Sequence, residues 1–200
     1  MDRVVQDVET PYGPARAHLH VVEAPSAAVV LGHGAGGGVE SPDLVGATNA
    51  AREAGLNVAL VEQPYRVAGQ RSPPPARQLD EAWLAVVPRL FRALPLIVGG
   101  RSAGARVACR TAAETTAKAV LCLAFPLHPP GKPEKTRLAE LEGVTVPTLV
   151  VQGARDPFGV PPPARNREVV LVAGTHSLRS GDAVASAVAE WLETLVPTFV

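Results

Sequence analysis

Six short apolar runs leave this chain few ways to fold: 29–31, 57–61, 96–99, 119–124, 148–152 and 169–173. Each is apolar nearly throughout rather than alternating, so each predicts a strand covered on both faces, the pattern of a parallel sheet between two helical layers. Helical signals fall between them. Ser41-Pro42 reads as an N-cap with proline in the first turn, and Gly55 closes that helix. Leu79, Trp83, Val86, Val87 and Leu90 mark one helical face, which Pro88 bends or shortens. Residues 105–116 follow the third run, and Val184, Val188, Trp191 and Leu195 line the buried face of a last helix. Upstream, segments 3–8 and 15–22 flank Thr10-Pro11-Tyr12-Gly13-Pro14 and read as an antiparallel hairpin leading into the sheet. The proline clusters at 73–75 and 161–163 read as surface connections, and with no repeat or linker residues 1–200 read as a single domain.

The third run ends in Gly100-Arg101-Ser102-Ala103-Gly104 and a helix follows it. Strand, sharp G-x-S-x-G turn and helix together predict a nucleophile elbow, in which a serine is held up at the tip of the sheet. Glycine is required on both sides because a side chain there would meet the neighbouring strand or helix. A serine N-cap after a strand, with glycines for the turn, is the plainer use of the same five residues.

The other strand ends decide between these uses, because functional groups in such sheets gather beyond the C-terminal ends of the strands. After 148–152 comes Gly153-Ala154-Arg155-Asp156-Pro157, and after 169–173 comes Gly174-Thr175-His176. Serine, acid and histidine then follow in the order Ser102, Asp156, His176, which is one of the known chain orders of a nucleophile–base–acid set. Each type has a task. Serine is a weak nucleophile until a base removes its proton; histidine is that base; the carboxylate fixes the imidazole tautomer and stabilises the imidazolium. Asp156 before a proline also suits a turn, and His176 an ordinary loop. Of the rivals, His18 and His20 fall in the hairpin, His128 in the loop after 119–124, and Asp182 at the start of the last helix. For the oxyanion of an acyl transfer, one N–H is expected from Ala103 at the start of its helix, and one from the glycine loop His33-Gly34-Ala35-Gly36-Gly37-Gly38. Ala35 is placed first there, with Gly34 and Gly36 beside it. The loop lacks the ending of a P-loop and the full dinucleotide-binding spacing. His33 reads as a loop-positioning residue.

Bulk properties narrow the function further. Formal net charge is zero with the signs interspersed, so no basic stripe points to nucleic acid. No apolar run approaches the length of a membrane span, and the N-terminus, Met1-Asp2-Arg3, lacks the apolar core expected of a signal peptide. Cys109 and Cys122 have no metal-like spacing and read as buried free thiols. The expectation is a cytoplasmic protein with a small-molecule partner and without cofactor, metal, nucleic-acid or membrane partner.

Several longer motifs carry a family resemblance. They are His33-Gly34-Ala35-Gly36-Gly37, Gln63-Pro64-Tyr65-Arg66, Gly99 through the elbow to Ala105-Arg106, Phe125-Pro126-Leu127-His128-Pro129-Pro130-Gly131-Lys132-Pro133, and Gln152-Gly153-Ala154-Arg155-Asp156. Over about residues 27–195 the chain resembles the small α/β-hydrolase-like proteins related to testis-expressed protein thirty and to the third subunit of the NSL chromatin complex, themselves akin to dienelactone hydrolases. The resemblance implies an α/β-hydrolase fold, a single mostly parallel sheet flanked by helices on both faces, and carries the triad onto Ser102, Asp156 and His176. It implies no substrate, and some relatives look like adaptors rather than enzymes. Between 126 and 146 there is room for one short helix, near 134–141, so no cap domain is expected and the site should be open. Tyr65, Arg66, Arg101, Phe125, His128 and Phe158 are placed around it. Arg66 and Arg101 offer guanidiniums to a substrate carboxylate, or pair structurally with acids on neighbouring loops, the commoner use. A serine ester or thioester hydrolase leads, with a non-catalytic interaction module and a cofactor-free perhydrolase as alternatives. A dehalogenase would need a carboxylate at position 102.

Overall fold

The computed structural model describes residues 4–199; Met1, Asp2 and Arg3, with the first residue of the expected hairpin among them, lie outside the described residues. One eight-stranded sheet runs in the order β1-β2-β4-β3-β5-β6-β7-β8. Its strands are β1 Val4–Thr10, β2 Gly13–His20, β3 Ala28–Gly32, β4 Asn57–Glu62, β5 Leu96–Arg101, β6 Ala119–Leu123, β7 Thr148–Gly153 and β8 Arg167–Val172. β1 and β2 form the antiparallel hairpin, β2 joins β4 antiparallel, and every pairing from β4 through β3 to β8 is parallel. This is the expected α/β-hydrolase architecture, with no cap domain among the described residues.

The apolar runs are buried on both faces because the chain sorts alternate residues to opposite layers. Val29, Leu31, Ile97, Leu121, Leu149 and Val151 face one core, closed by α1 Pro42–Glu53 and α6 Gly181–Leu195. Val30, Val98, Val120, Cys122 and Val150 face the other, closed by α3 Ala76–Val86 and α4 Ala103–Thr111. Each fully covered leucine or isoleucine contributes roughly 1.5–3 kcal/mol, which is why a run of three to six such residues suffices to place a strand. The two cysteines are free and buried, their sulfurs 3.5 Å apart between α4 and β6.

Helix boundaries departed from the sequence pattern at identifiable points. Pro88 stops α3, and Val87–Arg89 continue as one 3-10 turn. Beyond α4 the chain tightens into turns up to Thr116, with the Thr115 hydroxyl donating back to the Thr111 and Ala112 carbonyls. Ser41 stands before α1, but its hydroxyl makes no capping bond. The single turn α2 Pro64–Val67 has no periodicity from which to be read. The helix of the β6–β7 connection, α5, is Leu138–Glu142, later and shorter than expected. None of the helices among the described residues is long and apolar enough to cross a membrane.

After β3 the chain first crosses to β4 on one side and then returns over β3 to β5 on the other. The connections that leave β3 and β5 therefore run to opposite faces of the sheet, and the crevice outside such strand ends is where open parallel sheets bind ligands.

Candidate active site

Ser102 stands between β5 and α4 with φ 51° and ψ −107°, a backbone conformation that costs a non-glycine residue of order 1–3 kcal/mol and that surrounding packing must hold. The packing is specific. A side chain on Gly100 would lie 2.5 Å from the Gly32 carbonyl oxygen of β3, and one on Gly104 would run into the same Gly32 carbonyl. The Ser102 N–H donates to the Leu123 carbonyl at 2.9 Å, fastening the turn to β6 as well.

The three strand-end residues meet in one hydrogen-bonded row. His176 Nε2 lies 2.9 Å from Ser102 Oγ, and His176 Nδ1 lies 2.8 Å from Asp156 Oδ2. The Asp156 side chain is fully enclosed, which its bonds make tolerable: Gln152 Nε2 donates to Oδ2 at 2.7 Å and the Phe158 N–H to Oδ1 at 2.8 Å. A carboxylate at Nδ1 favours the tautomer with its proton there, leaving Nε2 to accept from the serine. Phe158 lies over the imidazole, ring centres 4.2 Å apart, and limits how it can turn.

The glycine loop is held by two aromatic side chains. His33 Nδ1 donates to the Gly34 carbonyl at 2.8 Å while its Nε2 accepts from the Gln63 N–H at 3.0 Å, so the buried ring must be neutral to make both bonds. Burial, the larger influence, lowers its pKa from the ordinary value. The Tyr65 hydroxyl donates to the Ala35 carbonyl at 2.8 Å, and burial pushes its pKa up to about 12. The Gly34 carbonyl also accepts from Gly37 N–H, and in a trans peptide the Ala35 N–H points the opposite way. Neither the Ala35 nor the Ala103 N–H meets an acceptor among the described residues, and both residues line the same cavity as Ser102, of about 240 Å³.

Of the six residues expected around that cavity, only Phe158 lines it. Tyr65 lies beneath the loop and faces a neighbouring cleft with Tyr12 and Gln78. Arg66 donates to the Gln70 carbonyl and closes its own turn. Arg101 Nε lies 2.8 Å from Oδ2 of the fully buried Asp43, an ion contact outside hydrogen-bonding angles, while Nη2 donates to the His176 carbonyl at 3.1 Å. Its role is the structural pair. Phe125 has no exposed surface: after Ala124, at φ 50°, its ring drops into the core. His128 packs against Gly159 and latches the turn that carries Asp156 and Phe158, with its N–H donating to the Phe158 carbonyl. The actual wall includes Pro73, Leu79, Arg106, Arg110, Pro126 and Arg137. Arg106 and Arg110 had a readable signal, since steps of four from Ser102 place all three on one side of α4. Arg137 had none, because a long connection brings it back to the site. A larger cleft, of about 920 Å³, lies where β7 and β8 begin, beside Trp191 and Leu195 and away from Ser102.

Residues 25–186 match the model of a family described as an alpha/beta hydrolase domain. No curated protein matches the chain. Among solved structures it is similar to XC6422 of Xanthomonas campestris, described as a serine hydrolase without a lid, at 19% identity and TM-score 0.74, covering 98% of this chain and 96% of that one. Est1E of Butyrivibrio proteoclasticus, solved with ferulic acid, is similar at 18% identity and TM-score 0.78, covering 96% and 99%. A dienelactone hydrolase of Anabaena variabilis is similar at 18% identity and TM-score 0.74, covering 97% and 98%.

Proposed function

The chain belongs to the alpha/beta hydrolase domain family, and from that premise we propose that it is a serine hydrolase of small esters or thioesters, acting through an acyl-enzyme on Ser102. The observation that carries this reading is the unbroken row from Ser102 Oγ through His176 to the enclosed Asp156 carboxylate. Kinship with the proteins related to testis-expressed protein thirty and the NSL subunit is part of the proposal, and its support is the run from His128 to Pro133.

Each step follows from a named atom. Ser102 Oγ attacks the acyl carbon as His176 Nε2 takes its proton, and Asp156 stabilises the resulting imidazolium. The carbonyl oxygen, now negative, is received by the N–H groups of Ala35 and Ala103, which meet no acceptor among the described residues and so are ready for it. His176 then gives the proton to the departing alcohol or thiol. Water enters, loses a proton to His176 and attacks the acyl-enzyme; the acid leaves, and the proton returns to Ser102.

A fluorophosphonate probe tests the reading directly. It should modify the folded protein at Ser102, located by mass spectrometry, and Ser102→Ala should abolish labelling. Turnover of p-nitrophenyl acetate should fall by at least about 10³-fold in Ser102→Ala and His176→Ala, without the two losses adding. Folded protein that neither labels nor turns over would assign the fold to an interaction module instead.

A further inference from the structure

We propose that the cavity beside Ser102 takes the acyl side of its substrate and that Arg137 receives a carboxylate at the end of a short acyl chain. The inference rests on the hydrolase reading and narrows its substrate class to half-esters or half-thioesters of short dicarboxylic acids.

Three guanidiniums line this cavity, and two of them are already matched. Arg106 forms a two-pronged pair with Glu140 at 2.9 and 2.6 Å. Arg110 forms another with Asp80 at 2.8 and 2.6 Å and reaches Glu140 at 3.4 Å. Arg137 differs. Its Nη1 donates to the Pro126 carbonyl at 2.8 Å, and among the described residues the other guanidinium N–H groups meet no acceptor and the charge meets no paired carboxylate. The wall therefore keeps one positive charge without a partner. Burial first, and then the charge of Arg106, lower the pKa of Arg137, against the opposing effect of Glu140, as befits a cation short of counter-charge. A guanidinium's planar fork fits a carboxylate better than a neutral group.

The cavity's other walls assign the acyl side. Ala35 and Ala103, the two oxyanion donors, both line it, whereas His176, past which the leaving group must depart to collect its proton, does not. Leu79, Pro126 and Phe158 give apolar sides to a few methylenes, and a volume of about 240 Å³ keeps the chain short.

The test compares kcat/KM for monomethyl glutarate and for methyl pentanoate, a neutral ester of the same chain length, by acid release. The wild-type protein should prefer the half-ester, and added salt should shrink the preference. Arg137→Gln should lower the ratio of the two values by about tenfold, chiefly through KM of the half-ester. Arg137→Lys should restore part of it, and Arg165→Gln, at the far cleft, should leave the ratio where it was. The neutral ester reports whether Arg137→Gln has folded; if it has not, the wild-type preference, its salt dependence and Arg137→Lys decide. Turnover of methyl pentanoate with no preference for the half-ester, or with a preference that Arg137→Gln does not move, overturns the carboxylate site and leaves the hydrolase reading standing. Calorimetric titration of Ser102→Ala with monomethyl glutarate separates the opposite case: binding that needs Arg137, in a protein that hydrolyses neither ester, upholds the anion site and sinks the hydrolase. Neither binding nor turnover sinks both.

Discussion

Two glycine-rich strand ends face each other across the site, and glycine serves a different purpose in each. In the elbow, side chains on Gly100 and Gly104 would collide with the backbone of Gly32, so the turn exists only because three backbones can touch. In the loop after β3, side chains built on Gly36, Gly37 or Gly38 would meet nothing within 4 Å, and none of the three has the left-handed φ that excludes other residues. That loop takes its shape instead from His33, Tyr65 and the turn bond from Gly37 to Gly34. Backbone contact makes the nucleophile side stiff, while the oxyanion side depends on a few polar bonds that can be removed singly.

The sharpest way to break the comparison is Gly104→Ala. One methyl group against the Gly32 carbonyl leaves the elbow no flexible neighbour to displace, so the loss should reach about 3 kcal/mol or more. Urea denaturation measures it. A loss below about 1 kcal/mol would mean that the strand ends can separate, and that the elbow is not held by backbone contact.

On the other side, His33 should matter less and in a pH-dependent way. His33→Phe removes both ring bonds at the loop's root and should cost about 1–3 kcal/mol at neutral pH. Because burial lowers the folded pKa, the unfolded chain binds the extra proton first. The stability from neutral His33 is complete above the ordinary value of 6.5 and is lost as pH falls from there through the folded pKa. The wild-type protein should therefore lose stability relative to His33→Phe below that pH, at up to about 1.4 kcal/mol per pH unit. Parallel stability curves from pH 7 to 5 would remove the titrating histidine from the account.

Tyr65→Phe isolates one bond. Losing the donor to the Ala35 carbonyl should cost about 1 kcal/mol and slow kcat several-fold by loosening the loop at Ala35, with KM less affected. The raised pKa gives an alkaline counterpart. Stability from the neutral phenol is complete below the ordinary value of 10 and fades as pH climbs toward about 12, so the wild-type advantage over Tyr65→Phe should shrink across that interval.

The same division explains what was legible in the sequence. Strands could be read because burial on both faces writes an apolar run, and Ser102, Asp156 and His176 could be read because each follows such a run directly. The walls could not, because they depend on how distant loops fold over one another. Phe125 follows a strand just as Ser102 does, yet the backbone at Ala124 sends it into the core, and no local pattern announces that turn. The sequence leaves Arg101, the last residue of β5, two uses, and Asp43 on α1, distant in sequence, selects the structural one. Arg137 reaches the cavity only through the β6–β7 connection, whose path is fixed by bonds such as Arg137 N–H to the Leu127 carbonyl rather than by periodicity.

The smallest effect is the most discriminating for the loop. Gly37→Ala adds a methyl group in open space at a φ that alanine accepts, and keeps the N–H that donates to the Gly34 carbonyl. Its main consequence falls on the unfolded chain, which loses conformational freedom that glycine alone possesses, so the folded protein should gain about 0.4–1 kcal/mol. Thermal unfolding should show a rise of a few degrees at most, against a fall on the order of 10 °C for Gly104→Ala. Opposite signs for the same glycine-to-alanine change, at two strand ends of one site, would establish that packing requires glycine at Gly104 of the elbow and not at Gly37 of the loop. A loss at Gly37 comparable to that at Gly104 would instead place a tight contact over the loop and erase the distinction between the two sides.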